Sequence, residues 1–264
     1  MKILFPEFKP KALTFSYDDG TVEDKWLTDI FRKYHVKATF NLNGGLYNDI
    51  CDYTHNNIFS HMVRIAPEWA KDLYKGFEVA AHGFHHMALS DEKETLCIED
   101  ITQDLDSHEK MFGTRPVGFA YPFGVYNDNW AEILKHLGIR YARTIKNTNS
   151  FELPEDFLKW HPTCHDKNAL ALAEQFVSES FDEAKLLYIW GHSYEFQRQD
   201  INRYENIDNI LKTLSNRDDI WYATNGEIEQ YISAARSVIK TDCGYINNSG
   251  MKIYVVDNGK QLVV

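Results

Sequence analysis

A chain of 264 residues, 44% hydrophobic and 25% charged, can bury a single barrel-sized core and has the composition of an ordinary globular protein, which excludes a disordered or fibrous chain. The formal charge of −11, with no Lys/Arg cluster to reverse it locally, works against a nucleic-acid partner. Pro6, Glu7 and Lys9 interrupt the opening run and no later segment approaches the roughly 18 apolar residues of a membrane span, so neither membrane insertion nor a signal peptide in this sequence is expected, and the expected location is cytoplasmic, or secreted if a signal was removed.

Strand-forming alternation over 11–17 ends at Asp18-Asp19-Gly20, and Trp26, Leu27, Ile30, Phe31 and Tyr34 then repeat at helical spacing over 23–34. A strand at 37–42 follows, and the Asn- and Gly-rich stretch 43–61 reads as a long functional loop. A helix opening at Pro67 and running to Tyr74 leads into a strand at 77–81. The alternation continues with a helix at 94–111, a strand at 117–121, a helix at 127–137 and a strand at 139–145. Strands at 157–161, 185–190 and 219–223 complete the series, with helices at 167–180, 202–215 and 225–236. Seven or eight strands alternating with helices predict an α/β chain folded as a closed or distorted (β/α) barrel over residues 1–240. Two apolar runs flank Asp257-Asn258-Gly259, predicting a C-terminal β-hairpin appendage over 241–264. Cys51, Cys97, Cys164 and Cys243 form no C-x-x-C pair and read as reduced thiols.

Three polar stretches stand at the carboxyl ends of predicted strands, where such a barrel builds its active site. In Ser16-Tyr17-Asp18-Asp19-Gly20 the adjacent carboxylates repel unless a cation or proton lies between them, and Gly20 lets the chain turn so that both reach one site. In Ala81-His82-Gly83-Phe84-His85-His86, His82 and His86 are four apart. Two neutral imidazoles and one carboxylate suit zinc or a similar divalent ion and leave a position open for water. In Trp190-Gly191-His192-Ser193-Tyr194, the imidazole of His192 stands at the same rim, where it could protonate a leaving group. His85 falls off this spacing and is expected to bond outside the site. His161 and His165 are also four apart but have no third ligand in view.

TFSYDDG, EVAAHGFHH, FAYPFG and LLYIWGH, in this order over roughly residues 12–192, resemble the ordered motifs of the polysaccharide deacetylases, carbohydrate esterase family 4. The resemblance implies a distorted (β/α) barrel and a divalent metal, zinc first, with Co2+, Ni2+ or Mn2+ as alternatives. Carried over by position, it makes Asp18 the general base, Asp19, His82 and His86 the metal ligands, His192 the general acid, and Phe123 the residue whose backbone N–H helps hold the oxyanion. The implied substrate is an acetylated saccharide, N-acetyl or O-acetyl.

The chain also departs from that pattern. Ala120 stands where the family's third motif carries an arginine that orients the base, and Arg143, near the end of the next strand, is the candidate replacement. The fourth motif's Asp-Trp pair is not recognisable; FLKWHPTCH occupies that region, making Trp160 and His161 candidates to line the site. Tyr121 is a candidate to shape the groove or plug the barrel mouth, and Tyr194, Glu195 and Phe196 are near enough to His192 to bind substrate or tune the acid. These departures keep two other readings open: hydrolysis of a non-sugar amide or cyclic imide, and a non-catalytic carbohydrate-binding barrel. Oligomeric state is not legible in the chain.

Overall fold

The computed structural model describes residues 1–55, 58–197 and 203–264; residues 56 and 57 of the predicted loop 43–61 and residue 202 of the predicted helix 202–215 lie outside the described residues. Eight parallel strands form the central sheet. They are numbered here in chain order: β1 Lys11–Asp18, β2 Thr39–Leu42, β3 Glu78–Ala81, β4 Gly118–Ala120, β5 Tyr141–Arg143, β6 Cys164–His165, β7 Lys185–His192 and β8 Ile220–Tyr222. Their spatial order is β5-β4-β3-β2-β1-β7-β6, with β8 pairing the first residues of β1. The stretch leading into β6 joins the two edges, because Trp160 bridges to Arg143 while Cys164 and His165 pair with Ile189 and Trp190. The sheet therefore curls into the distorted barrel expected of alternating strands and helices.

Among the described residues, seven α-helices wrap it: α1 Asp24–Lys33, α2 Pro67–Leu73, α3 Glu94–Phe112, α4 Asp128–His136, α5 Ala169–Ser178, α6 Arg203–Leu214 and α7 Asn225–Arg236. The two-residue period of each strand divides its side chains between helices and barrel interior. Leu13, Phe15 and Tyr17 of β1 join Phe40, Leu42, Leu187 and Ile189 in one apolar cluster with α1, α5 and α6. The alternate residues Thr14, Ser16 and Asp18 are fully buried and bond inside the barrel, Thr14 to Asn225 and Ser16 to Asn41. Small residues on β4 accept large ones from β5: a Cβ on Gly118 would lie about 2 Å from the Tyr141 ring.

Two predicted elements differ. The stretch 43–61 is no structureless loop, because Ile50–His55 and Ile58–Val63 pair as an antiparallel hairpin, whose alternation is hidden in the sequence by the Asn- and Gly-rich approach. The strand expected at 157–161 is instead a short 3-10 turn at Phe157–Lys159 followed by the Trp160 bridge, with strand pairing at β6. At the C-terminus, Tyr254–Asp257 and Lys260–Val263 pair across Asn258-Gly259. Both turn residues have positive φ, 49° and 75°, as a two-residue hairpin turn demands. The N-terminal strand Lys2–Leu4, which the sequence pattern did not reveal, adds to the hairpin's other edge. Phe5, Ile253 and Val255 pack there with Tyr231 and Ile232 of α7 and with Leu186 and Tyr188 of β7.

Candidate metal and hydrolytic site

The register of the sheet assembles the site at the carboxyl ends of the strands. His192 of β7 pairs directly with Asp18 of β1, and Asn41 of β2 pairs with Asp18 from the other side. The Asn41 amide donates to Asp18 Oδ1 at 2.7 Å, Arg143 ion-pairs with Asp18 Oδ2, and His192 Nε2 lies 3.7 Å from that same oxygen. Arg143 is fully buried and stacks over the Trp190 ring at 4.6 Å. Its strand partner is Ala120, so the guanidinium that reaches the base comes from the strand beside the one bearing the arginine-less motif. Burial by itself would raise the Asp18 carboxyl, but Arg143, His82 and His192 outweigh it and hold it below the usual range.

One ligand atom from each of Asp19, His82 and His86 lies within 4.8 Å of the others. Asp19 takes the turn itself, with φ 79°, followed by Gly20 at φ 63°, and His86 is also left-handed at φ 54°. Such backbone persists in non-glycine residues only where the surroundings hold it, and it clusters at functional sites. The donor chemistry fits a divalent ion. His82 Nδ1 is 2.8 Å from the Ala120 carbonyl, a contact that puts the proton on Nδ1 and leaves Nε2 free as a ligand. His82 Nε2 and His86 Nε2 then face each other at 3.1 Å, two acceptors that a shared cation would satisfy. Burial, reinforced by His82, pushes His86 down to about 4, so its ring is neutral near pH 7 as ligation requires. Asp19 sits well below the normal carboxylate range, since Arg64 and the histidines overcome the effect of its burial.

Helix α3 holds this loop by its backbone. Asp100, Asp104 and His108 recur every fourth residue on its buried face. Asp104 accepts from the N–H groups of His82 and Gly44 at 2.9 and 2.6 Å and lies 3.2 Å from His108, which contacts the Leu42 carbonyl at 3.0 Å. Asp100 accepts from the His85 N–H and from its ring at 2.7 Å, so His85 bonds outside the site.

The family model for polysaccharide deacetylases matches residues 6–142, just over half of the chain. The chain belongs to the polysaccharide deacetylase family. Among curated relatives of this deacetylase-family hydrolase, the poly-beta-1,6-N-acetyl-D-glucosamine N-deacetylase of Staphylococcus aureus is 24% identical over 167 residues, covering 56% of this chain and 54% of the relative. The chain thus spans about half the length of the curated relatives it matches. In fold it is similar to a Mycobacterium smegmatis protein described as a polysaccharide deacetylase, with a TM-score of 0.62 at 17% identity, covering 89% of this chain and 94% of the other. Puue allantoinase also gives a TM-score of 0.62, at 12% identity, covering 86% and 91%.

The remaining predicted residues separate. Phe123 is exposed, and its ring packs on His86 at 4.5 Å, on a turn with φ 57°. His161 is half-buried and its Nδ1 lies 2.6 Å from Thr144 Oγ1. Trp160 does not line the site: it is 1% exposed and wedged among Tyr141, Phe157 and Tyr188, because its strand bridge turns it into the barrel. Tyr121 is likewise 1% exposed, donates to the Leu158 carbonyl and stacks on Phe119 and Tyr126, which makes it a plug and not a substrate contact. His161 does not join His165. Instead His165 groups with His192 and Glu195.

That second cluster already holds its own cation. Arg203 bonds both Asp166 and Glu195, His165 bridges the same two carboxylates at 2.9 and 3.2 Å, and Tyr17 donates to Asp166 at 2.9 Å. Glu195 Oε1 lies 3.9 Å from His192 Nδ1, a buried ring nitrogen without a hydrogen-bond partner among the described residues. A carboxylate thus faces the far side of the imidazole. Arg64 was missed altogether, since nothing in the pattern around it signals chemistry. The spacing of Asp100, Asp104 and His108 on a predicted helix was the available signal for the α3 stripe.

Proposed function

We propose that this chain removes the acetyl group from an N-acetylated amino sugar, with O-acetyl sugars as a secondary class. The observation carrying this reading is the convergence of two sets of side chains on one strand end: Asp19, His82 and His86 as a ligand set, and Asp18 between Arg143 and His192. The name of the Staphylococcus aureus relatives supports a β-linked N-acetylglucosamine polymer as the first substrate to try.

Asp19, His82 and His86 would hold the divalent ion. The chemistry it supplies there is acidification of water and polarisation of the acetyl carbonyl. Asp18, kept ionised by Arg143, accepts a proton from water as the water oxygen bonds to the acyl carbon. The Phe123 N–H, the oxyanion donor that the family resemblance implies, would supply a contact of a kind worth about 2.7–4 kcal/mol in the transition state. His192 gives a proton to the departing sugar nitrogen as the C–N bond breaks, leaving acetate and the free amine. Arg143 and Asn41 fix the base on one side while Glu195 orients the acid on the other.

Acetate release by zinc-loaded protein on N-acetylglucosamine oligomers of β-1,6 and β-1,4 linkage and on acetylated xylan, with amine release or ring opening followed on small linear and cyclic amides, tests the reading. Release from the amino-sugar oligomers is expected. Turnover confined to the non-sugar amides would refute the assignment.

A further inference from the structure

Asp18 and Asp19 are adjacent and buried, and each is paired with its own arginine. Arg143 serves Asp18, and Arg64, 6% exposed, serves Asp19. Arg64 Nη2 is 3.1 Å from Asp19 Oδ1, while Nη1 bonds the Asp19 carbonyl and the Asn43 side-chain oxygen at 2.6 Å. The backbone fixes it as well. Arg64 bridges to Thr21 at the end of the hairpin, its N–H donates to the Asp49 carbonyl at 2.9 Å, and the next N–H donates to the Gly20 carbonyl at 2.9 Å.

The oxygen that Arg64 holds is also the one facing His86, with Oδ1 3.8 Å from His86 Nε2. A cation bonded to that carboxylate at about 2.0–2.2 Å would lie within roughly 5–6 Å of a fixed guanidinium. Two positive centres then share one carboxylate in a buried setting. Their repulsion outweighs the roughly 10- to 100-fold in affinity that an orienting partner of a ligand is worth.

We propose that Arg64 is an internal counter-cation for Asp19: it neutralises and orients this carboxylate in the metal-free protein and competes with the divalent ion for it. The ion is then held more loosely than the same three ligands would hold it alone. This rests on the ligand-set reading given above.

The test uses the full chain and zinc alone, with affinity from competition against a chromophoric chelator and thermal melts with and without zinc. Arg64→Met and Arg64→Gln remove the charge, Arg64→Lys keeps it, and His86→Ala removes a ligand. The neutral variants are expected to bind zinc at least tenfold more tightly than the natural chain and to gain more in melting temperature on zinc addition. A neutral variant that folds only when zinc is present shows the same dependence. Arg64→Lys is expected to follow the natural chain. Neutral variants that bind equally or more weakly, or a lysine variant that tightens as much as they do, would overturn the counter-cation role while leaving the centre intact. Zinc affinity that is absent from the natural chain and both neutral variants, and no different in His86→Ala, would instead overturn the centre itself.

Discussion

Three of the groups facing Asp18 have different consequences. Arg143 keeps it charged, Asn41 fixes its plane and His192 shares its outer face. As the proposed base, it is expected to act on the rate and not on metal binding, because the proposed ligand set is Asp19, His82 and His86. Asp18→Asn is expected to lower kcat by about 10²–10⁴-fold with zinc affinity unchanged. An unaltered rate in a single-turnover acetate assay would return the protein to the reading of a sugar-binding barrel. On the other side of the site, Glu195→Gln removes the charge facing His192 Nδ1. The expected loss in kcat is about tenfold, a part of what acid catalysis contributes, with KM little changed. A rise in KM alone would show that Glu195 contacts substrate instead.

At the scale of elements, α3 is a helix whose buried face is partly polar for a reason. Its Asp100, Asp104 and His108 bond backbone groups of the His82–His85 stretch and of the β2 exit. The Asp104–His108 pair is completely buried, and burial alone would make His108 harder to protonate, but Asp104 raises it above its ordinary value. Asp104→Ala leaves the His82 and Gly44 N–H donors without their acceptor and takes away the carboxylate beside His108, and is expected to cost about 3–5 kcal/mol in urea unfolding. Asp106→Ala, two residues on and paired with Arg115 on the exposed face, should stay within about 0.5 kcal/mol of the natural chain. Equal losses from both would mean that the stripe has no special part in stability.

Across the whole molecule, buried carboxyls pull the pH dependence of stability in two directions. Asp18, Asp19 and Glu195 are held below the usual carboxylate range. Their contribution is complete above the unfolded value of about 4 and is lost as pH falls from there through the folded values. Asp24 is opposite. Burial raises it to about 7, against favourable bonds from Ser193 and Tyr74, so the folded state prefers it protonated. Its effect is therefore a loss of stability that develops as pH climbs from about 4 to about 7 and is constant beyond. Asp24→Asn should stabilise the metal-free protein more at pH 8 than at pH 5, by on the order of a few kcal/mol in denaturant midpoints converted to free energy. The same difference at both pH values would exclude a raised Asp24.

The chain alone determined the alternation of strands and helices, the polar clusters at their ends and the C-terminal turn, because two-residue and 3.6-residue periods and the φ > 0 demand of Asn258-Gly259 are local properties. It also named Asp18, Asp19, His82, His86 and His192, since strand ends in such a barrel share one rim whatever the loops do. The identity of the charges facing those residues was settled only by tertiary structure. Arg143 reaches Asp18 because register sets it beside Ala120, and Arg64 reaches Asp19 because a hairpin hidden in a polar stretch docks on the turn. Trp160 and Tyr121 stand near the site in sequence and out of it in space, since one strand bridge and one hydrogen bond turn them into the core. Pairing across 45 to 125 residues depends on register and packing, which no local period encodes.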